Sequence, residues 1–243
     1  MEVLNRNLQL QDRSENIRNL NIIPIKFDLK DIKKHFDEAI SLIDSQFAIY
    51  DNITQKGKVS EGELILRSQL VLAEAALDFF IHEMSKYGMY HMFMNLWEKS
   101  QKYNNFTIPM NVVEDIIEKD NSNDCFFKFL NERFSREVYL SEESMKDQLN
   151  LVGINFPSVM EKAFPEKHQQ ESLEKGKNII KDLFRRRNEI AHQMDRNHSS
   201  AQQGNIDKMY VDECLQNIKK IACAIIEIAI QNDQQSEQEQ EDN

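Results

Sequence analysis

Residues 63–88 read ELILRSQLVLAEAALDFFIHEMSKYG. Apolar side chains recur here at spacings of three and four and encircle most of a helix, wider than the single stripe of a surface helix. The spacing predicts a long central helix, opened by the capping-box pair Ser60 and Glu63 and closed at Gly88. A helix that is apolar nearly all round needs neighbours on several sides. The rest of the chain therefore has to supply amphipathic helices.

The periodicity supplies them in both directions. Upstream, DLKDIKKHFDEAISLIDSQFAIYDN (28–52) puts Ile32, Phe36, Ala39, Ile40, Ile43 and Phe47 on one face, and TQKGKVS (54–60) is the loop between the two helices. Downstream lie shorter helical stretches: YHMFMNLWEKSQKY (90–103), VVEDIIEKD opened by Thr107 and Pro109, CFFKFLNERFSREVY (125–139), and one started by Ser141 that stops near Gly153. A long helix then begins near Gln169, with Ile179, Ile180, Leu183, Phe184, Ile190 and Ala191 as its apolar side. After the polar loop MDRNHSSAQQGNID (194–207), a last helix carries Val211, Cys214, Leu215, Ile218, Ile221, Ala222, Ile225 and Ile228 in register.

The fold expected is all-α: a helical bundle with a helical insertion, residues 90–168, between the early long helix and the long helix that begins near Gln169. Residues 1–23 are expected to be a flexible arm, residues 24–231 one helical domain, and the Gln-rich stretch 232–243 a disordered acidic tail. No internal repeat is evident.

Composition narrows the function. The net charge is −11 and the tail holds five of the acids, which leaves −6 for the rest. Such a body does not coat nucleic acid through bulk charge, although a local basic site sets its own field. No apolar run is long enough to cross a membrane, and the polar N-terminus lacks the features of a signal peptide. Cys125, Cys214 and Cys223 are odd in number and widely spaced, which fits buried thiols in a reducing cytoplasm. No Cys/His spacing matches a zinc site, so neither a metal nor a cofactor is expected.

The densest positive charge is RRRNEIAHQM (185–194). Asn188 and His192 are four apart and share a helix face, and Arg187 precedes Asn188 by about 100°. Arginine can hold two phosphoryl oxygens and stabilise the charge of a transition state. Histidine can take a proton from a ribose 2′-hydroxyl or give one to a leaving 5′-oxygen. RNA carries its own nucleophile, so this chemistry needs no metal in principle. One His and one Arg leave the acid and base roles incomplete, and a two-fold dimer would set a second copy opposite the first. A plain alternative also fits the spacing, with arginines complementing a helix macrodipole and a histidine capping carbonyls.

These residues resemble the signature of the HEPN superfamily: Arg187, the polar Asn188, three further positions, then His192. LILRSQLVLAEAALDFFIHEM resembles the early helix of the RiboL-PSP type of HEPN domain, with Arg67, Asp78, His82 and Glu83 at the matching positions. The resemblance covers these two helices and the last one, and is vague over 90–168. It implies a dimerising helical bundle, often a metal-independent endoribonuclease that leaves 2′,3′-cyclic phosphate and 5′-hydroxyl ends. Such domains commonly act in bacterial toxin–antitoxin or antiphage systems, with an antitoxin or defence protein as partner. On that analogy Arg187 and His192 are catalytic and Asn188 orients or polarises. The Tyr that many HEPN toxins carry two residues after the His is Met194 here, a departure that weighs against pairing with a Tyr-modifying antitoxin. Some HEPN domains only bind, so a non-catalytic module for RNA, a nucleotide or a protein is the alternative.

Other residues carry two readings each. Asp78 either fixes Arg187 or His192, or pairs with Arg67 or a backbone group for stability. Arg185, Arg186 and, in the following loop, Arg196 either contact RNA phosphates or form a solvated face. His82 and Glu83 suit a surface or a dimer seam. Trp97, Tyr103, Phe126 and Phe127 could stack on bases, but their helical spacing favours the core.

Overall fold

The computed structural model describes residues 28–118 and 122–241; the expected N-terminal arm lies outside them. Among the described residues the elements are all helices: α1 (Leu29–Gln55), α2 (Val59–Phe93), α3 (Gln101–Asn104), α4 (Met110–Glu118), α5 (Ser122–Phe134), α6 (Glu142–Leu151), α7 (Phe156–Ala163), α8 (Gln169–Gln193) and α9 (Lys208–Glu241).

Helix α1 starts at Asp28, whose carboxylate accepts the Lys30 amide at 2.9 Å. It and α2 form an antiparallel pair, fastened by Gln69 Nε2 to the Ile43 carbonyl at 2.8 Å and by His35 to the buried Glu83 at 3.1 Å. Helix α2 is the central helix that its sequence predicts, packed by α1, α5, α6, α8 and α9. Leu66, Leu70, Ala73, Phe80, Ile81 and Met84 on it are closed off from solvent. Burying each large side chain stabilises the fold by about 1.5–3 kcal/mol before entropy is counted.

Both expected ends of α2 differ. The helix begins at Val59 after Lys58, without a side-chain cap, and Glu63 turns to Arg67 instead of closing a capping box. At the other end α2 runs through Gly88 to Phe93. A Cβ on Gly88 would stand 2.6 Å from Val152 Cβ and 3.1 Å from the Trp97 ring. Glycine is needed there for close approach to the insertion, not for a helix stop. YHMFMNLWEKSQKY accordingly does not form its own helix: its start completes α2 and only Gln101–Asn104 is helical near its end.

Ser141 caps α6 as expected, accepting the Ser144 amide at 3.1 Å, and the chain leaves that helix at Gly153, φ +73°. Helix α7 packs on both α8 and α9, and one hydrophobic cluster includes side chains from α1, α2, α5–α9 and the loops between them. The insertion therefore shares its core with the bundle. Helix α9 continues past Gln231 into the stretch expected to be a disordered tail. Asp233 holds it down: its carboxylate accepts Tyr87 Oη at 2.8 Å and Trp97 Nε1 at 2.7 Å. Gln and Glu are good helix formers, so the polar sequence propagates the helix once it is anchored. No helix of the described residues is long and apolar enough to cross a membrane.

Candidate active site

Helix α8 ends within the arginine–histidine stretch. Met194 and Asp195 take left-handed conformations, φ +52° and +60°, and the Asp195 amide returns to the Glu189 carbonyl at 2.9 Å. This reversal leaves Arg187, Asn188 and His192 on the last two turns of the helix and sends the following chain back across it.

The three arginines have different fates. Arg185 is exposed and pairs along its own helix with Glu189 at 3.0 Å and Asp182 at 3.4 Å. Arg186 turns inward: Nη1 donates to Asp195 Oδ1, Nη2 to Asp195 Oδ2 at 2.8 Å, and Nη2 also to the Asn205 carbonyl at 2.9 Å. Arg187 is half-buried, and its Nη1 donates to Asn188 Oδ1 at 3.0 Å. Among the described residues Arg187 is the one member of the trio that makes no ion pair with a carboxylate.

Asp195 organises the surroundings. Its side chain is 2% exposed and takes a second guanidinium, Arg67 Nε, at 2.8 Å. Arg67, also buried, uses Nη2 on the Gly204 carbonyl at 2.6 Å and Nη1 on Glu63 at 3.2 Å. One buried carboxylate thus clasps α2, α8 and the loop 196–207, and each buried charge has an opposite charge beside it. The clasp is packed to contact at Gly204. A Cβ there would meet Asp195 Oδ1 at 2.8 Å and Arg186 Nη1 at 2.9 Å.

Behind Arg187 lies Glu74, 2% exposed on α2, with no hydrogen bond and with Oε2 fully enclosed. Arg187 Nε is likewise buried without an acceptor. Burial pushes the Glu74 carboxyl up to about 8; the Arg187 guanidinium pulls it down and Asp78 adds to the rise. At neutral pH Glu74 is therefore mostly protonated, and Arg187 keeps its positive charge instead of spending it on an internal carboxylate. His192 is exposed one turn beyond Asn188 and makes no hydrogen bond or ion pair among the described residues. Arg187 and Asn188 thus stand hydrogen-bonded near the helix end, with His192 exposed one turn further on.

The other expectations divide. Asp78 takes its backbone option: Oδ1 accepts the Tyr139 amide at 2.7 Å, and neither Arg67, Arg187 nor His192 is among its partners. The His82 ring packs tilted against the Tyr139 ring at 4.7 Å, and Glu83 is buried against His35. Arg186 is taken up by the clasp and does not offer a free guanidinium to phosphate. Arg196 donates to the Ala201 carbonyl at 2.8 Å and shapes the loop whose polar cavity also includes Asn197 and His198. Trp97, Phe126 and Phe127 are core residues, and Tyr103 packs against the core half-buried.

Sequence reasoning missed Asp195 and gave Glu74 no role of its own. A signal for the first was present: Arg67 stands inside an apolar pattern, and a buried guanidinium demands a carboxylate from somewhere. Nothing in the spacing said that the carboxylate would come from 128 positions away.

A family model described as RiboL-PSP-HEPN matches residues 30–231 of the chain. No curated protein and no solved structure matches it.

Proposed function

Because the chain belongs to the RiboL-PSP-HEPN family, we propose that it is an endoribonuclease that cleaves RNA without a metal and acts as a homodimer. The coarse reading that goes with the family is a HEPN-type nuclease or RNA-binding module. The observation that carries the finer one is the contrast among Arg185, Arg186 and Arg187. Two are neutralised by carboxylates, while the one that belongs to the arginine–histidine signature is backed by a protonated Glu74.

In this mechanism Arg187 binds the non-bridging oxygens of the scissile phosphate, and Asn188 holds the guanidinium in place. The ribose 2′-oxygen attacks phosphorus while the 5′-oxygen leaves. The products are a 2′,3′-cyclic phosphate and a 5′-hydroxyl, with no redox change and no water consumed. His192 moves one of the two protons. The other proton falls to His192 of a second copy, which is why a dimer is part of the proposal.

The exposed face of α2 suits such a dimer. Leu64, Leu72, Ala75 and Phe79 fall within an arc of about 80° and are exposed. Ala75 and Glu74 are about 100° apart around the helix, so the stripe lies on a different face of α2 from Glu74. An exposed apolar stripe of this kind is what a two-fold interface requires.

The role we assign is bacterial defence or growth control, with an antitoxin or another defence protein as partner and the cytoplasm as its place. Arg185 and Arg196, at the edges of the site, are proposed to meet flanking phosphates. The test is product chemistry. End-labelled RNA incubated with the protein in EDTA should yield cyclic phosphate and 5′-hydroxyl termini. Saturable RNA binding without any turnover would instead establish the binding-module alternative.

A further inference from the structure

One cavity stands apart from the arginine–histidine end. It lies in the insertion, among α3, the turn after α5, and α6, with a volume of about 690 Å³. That is within the usual range for small-ligand pockets. None of the signature residues reaches it.

Its walls are aromatic: Phe106, Phe134 and Tyr139. Phe134 lies edge-on to Tyr139 at 6.3 Å and tilted to Phe106 at 6.2 Å. Gln148 also lines it, 7% exposed. The Gln148 carboxamide makes no hydrogen bond, and its Nε2 is fully enclosed. Buried amides in folded proteins almost always have partners, so an orphan on a cavity wall is a feature to be explained. At the mouth stand two cations, Lys102 at 2.6 Å from Asp147 and Arg133 at 3.0 Å from Glu137. Both pairs are about half exposed, so either cation can exchange its carboxylate for an incoming anion at little cost.

Each feature narrows the ligand. Flat aromatic walls favour a flat ring. A carboxamide offers a donor and an acceptor side by side, which an apolar ligand leaves unused and a heteroatom edge satisfies. Cations at the mouth favour a negative group beside the ring. We propose that this cavity is a nucleobase pocket: it takes the base of a nucleotide against the wall of Phe106, Phe134 and Tyr139, reads its edge with Gln148, and meets its phosphate with Arg133 or Lys102.

The pocket is joined to the helix behind the candidate active site. The Tyr139 amide donates to Asp78 and the Tyr139 ring packs tilted against His82, both on α2. Asp78 is one helical turn, about 6 Å of rise, from Glu74. A base held against Tyr139 therefore bears on the element that carries Glu74 behind Arg187. The base can belong to a free nucleotide or to a residue of an RNA strand. The inference concerns binding and stands whether or not the arginine–histidine end cleaves.

The experiment is calorimetric titration of the full chain with AMP, GMP, CMP and UMP, and with 2′-O-methylated tetranucleotides, which lack the nucleophile and cannot be cut. Two variants accompany the wild type. Gln148→Met keeps the length of the side chain and removes an unsatisfied amide, so its melting temperature should not fall. Phe106→Ala removes a half-buried wall. A mononucleotide that binds saturably, and at least tenfold more weakly to both variants, supports the pocket with a free nucleotide as ligand. Binding of tetranucleotides alone, with the same tenfold losses, supports it with a strand residue as ligand. Hydrogen exchange of the wild type with the bound probe should slow over residues 101–107 and 133–151, a readout that needs no variant. The proposal is overturned if no probe saturates up to millimolar concentration, if both variants bind like the wild type, or if protection falls only outside those segments.

Discussion

Glu74→Gln is the substitution whose consequences follow most directly from the structure. Glu74 is 2% exposed, makes no hydrogen bond, and has its carboxyl pushed up from 4.5 to about 8, chiefly by burial. The folded protein therefore holds a proton that the unfolded chain releases above about pH 4.5. More protons in the folded state mean that stability falls as pH rises through the window 4.5–8, then levels off. At about 1.4 kcal/mol per pH unit, the whole window amounts to at most about 5 kcal/mol. Glutamine keeps the shape and never ionises. Urea unfolding at fixed protein concentration should give wild type and variant similar stabilities at pH 4.5. They should diverge up to pH 8, with the variant the more stable by up to about 5 kcal/mol. The same ionisation neutralises Arg187, so wild-type affinity for RNA should drop as pH passes 8 while that of the variant stays level. Parallel stability curves, or a variant less stable than wild type at pH 8, would refute the reasoning, because Glu74 would then be ionised and paired in the fold.

Two further outcomes are expected. Asp195→Asn removes the charge between Arg67 and Arg186 and leaves two buried guanidiniums facing each other; the loss should be about 3–5 kcal/mol, read as a fall in the urea midpoint. Phe79→Asp places a charge on the exposed stripe of α2 and should weaken self-association about 30-fold or more, as loss of an interface anchor of about 2 kcal/mol does; sedimentation equilibrium measures it, with the circular dichroism spectrum unchanged and RNA cleavage lost along with the dimer.

The architecture was legible where burial follows periodicity. Most of the residues that pattern α2 are the ones the structure closes off, Leu64, Leu72 and Phe79 excepted, and α8 begins at Gln169 as the spacing predicts. It was not legible where a single long-range contact overrides a local rule. Gly88 looks like a helix stop because glycine often is one, yet its role is set by Val152 and Trp97. The acidic stretch after Gln231 has the composition of a tail, yet Asp233 is anchored by a tyrosine and a tryptophan. In the site, helix geometry was enough to put Arg187, Asn188 and His192 on the last two turns of one helix. It could not divide the three arginines, because what distinguishes them is which carboxylate each finds, and Asp195, placed by the turn after α8, takes Arg186 of the three together with Arg67 of α2.

That division is also the most direct point of test. Single-turnover cleavage of one labelled RNA in EDTA should be measured for wild type, Arg185→Ala, Arg187→Ala and His192→Ala, each confirmed folded and of wild-type oligomeric state. The account predicts that Arg185→Ala stays within a few-fold of wild type while Arg187→Ala and His192→Ala lose about 100-fold or more. Equal losses for Arg185→Ala and Arg187→Ala, or full cleavage by His192→Ala, would contradict it.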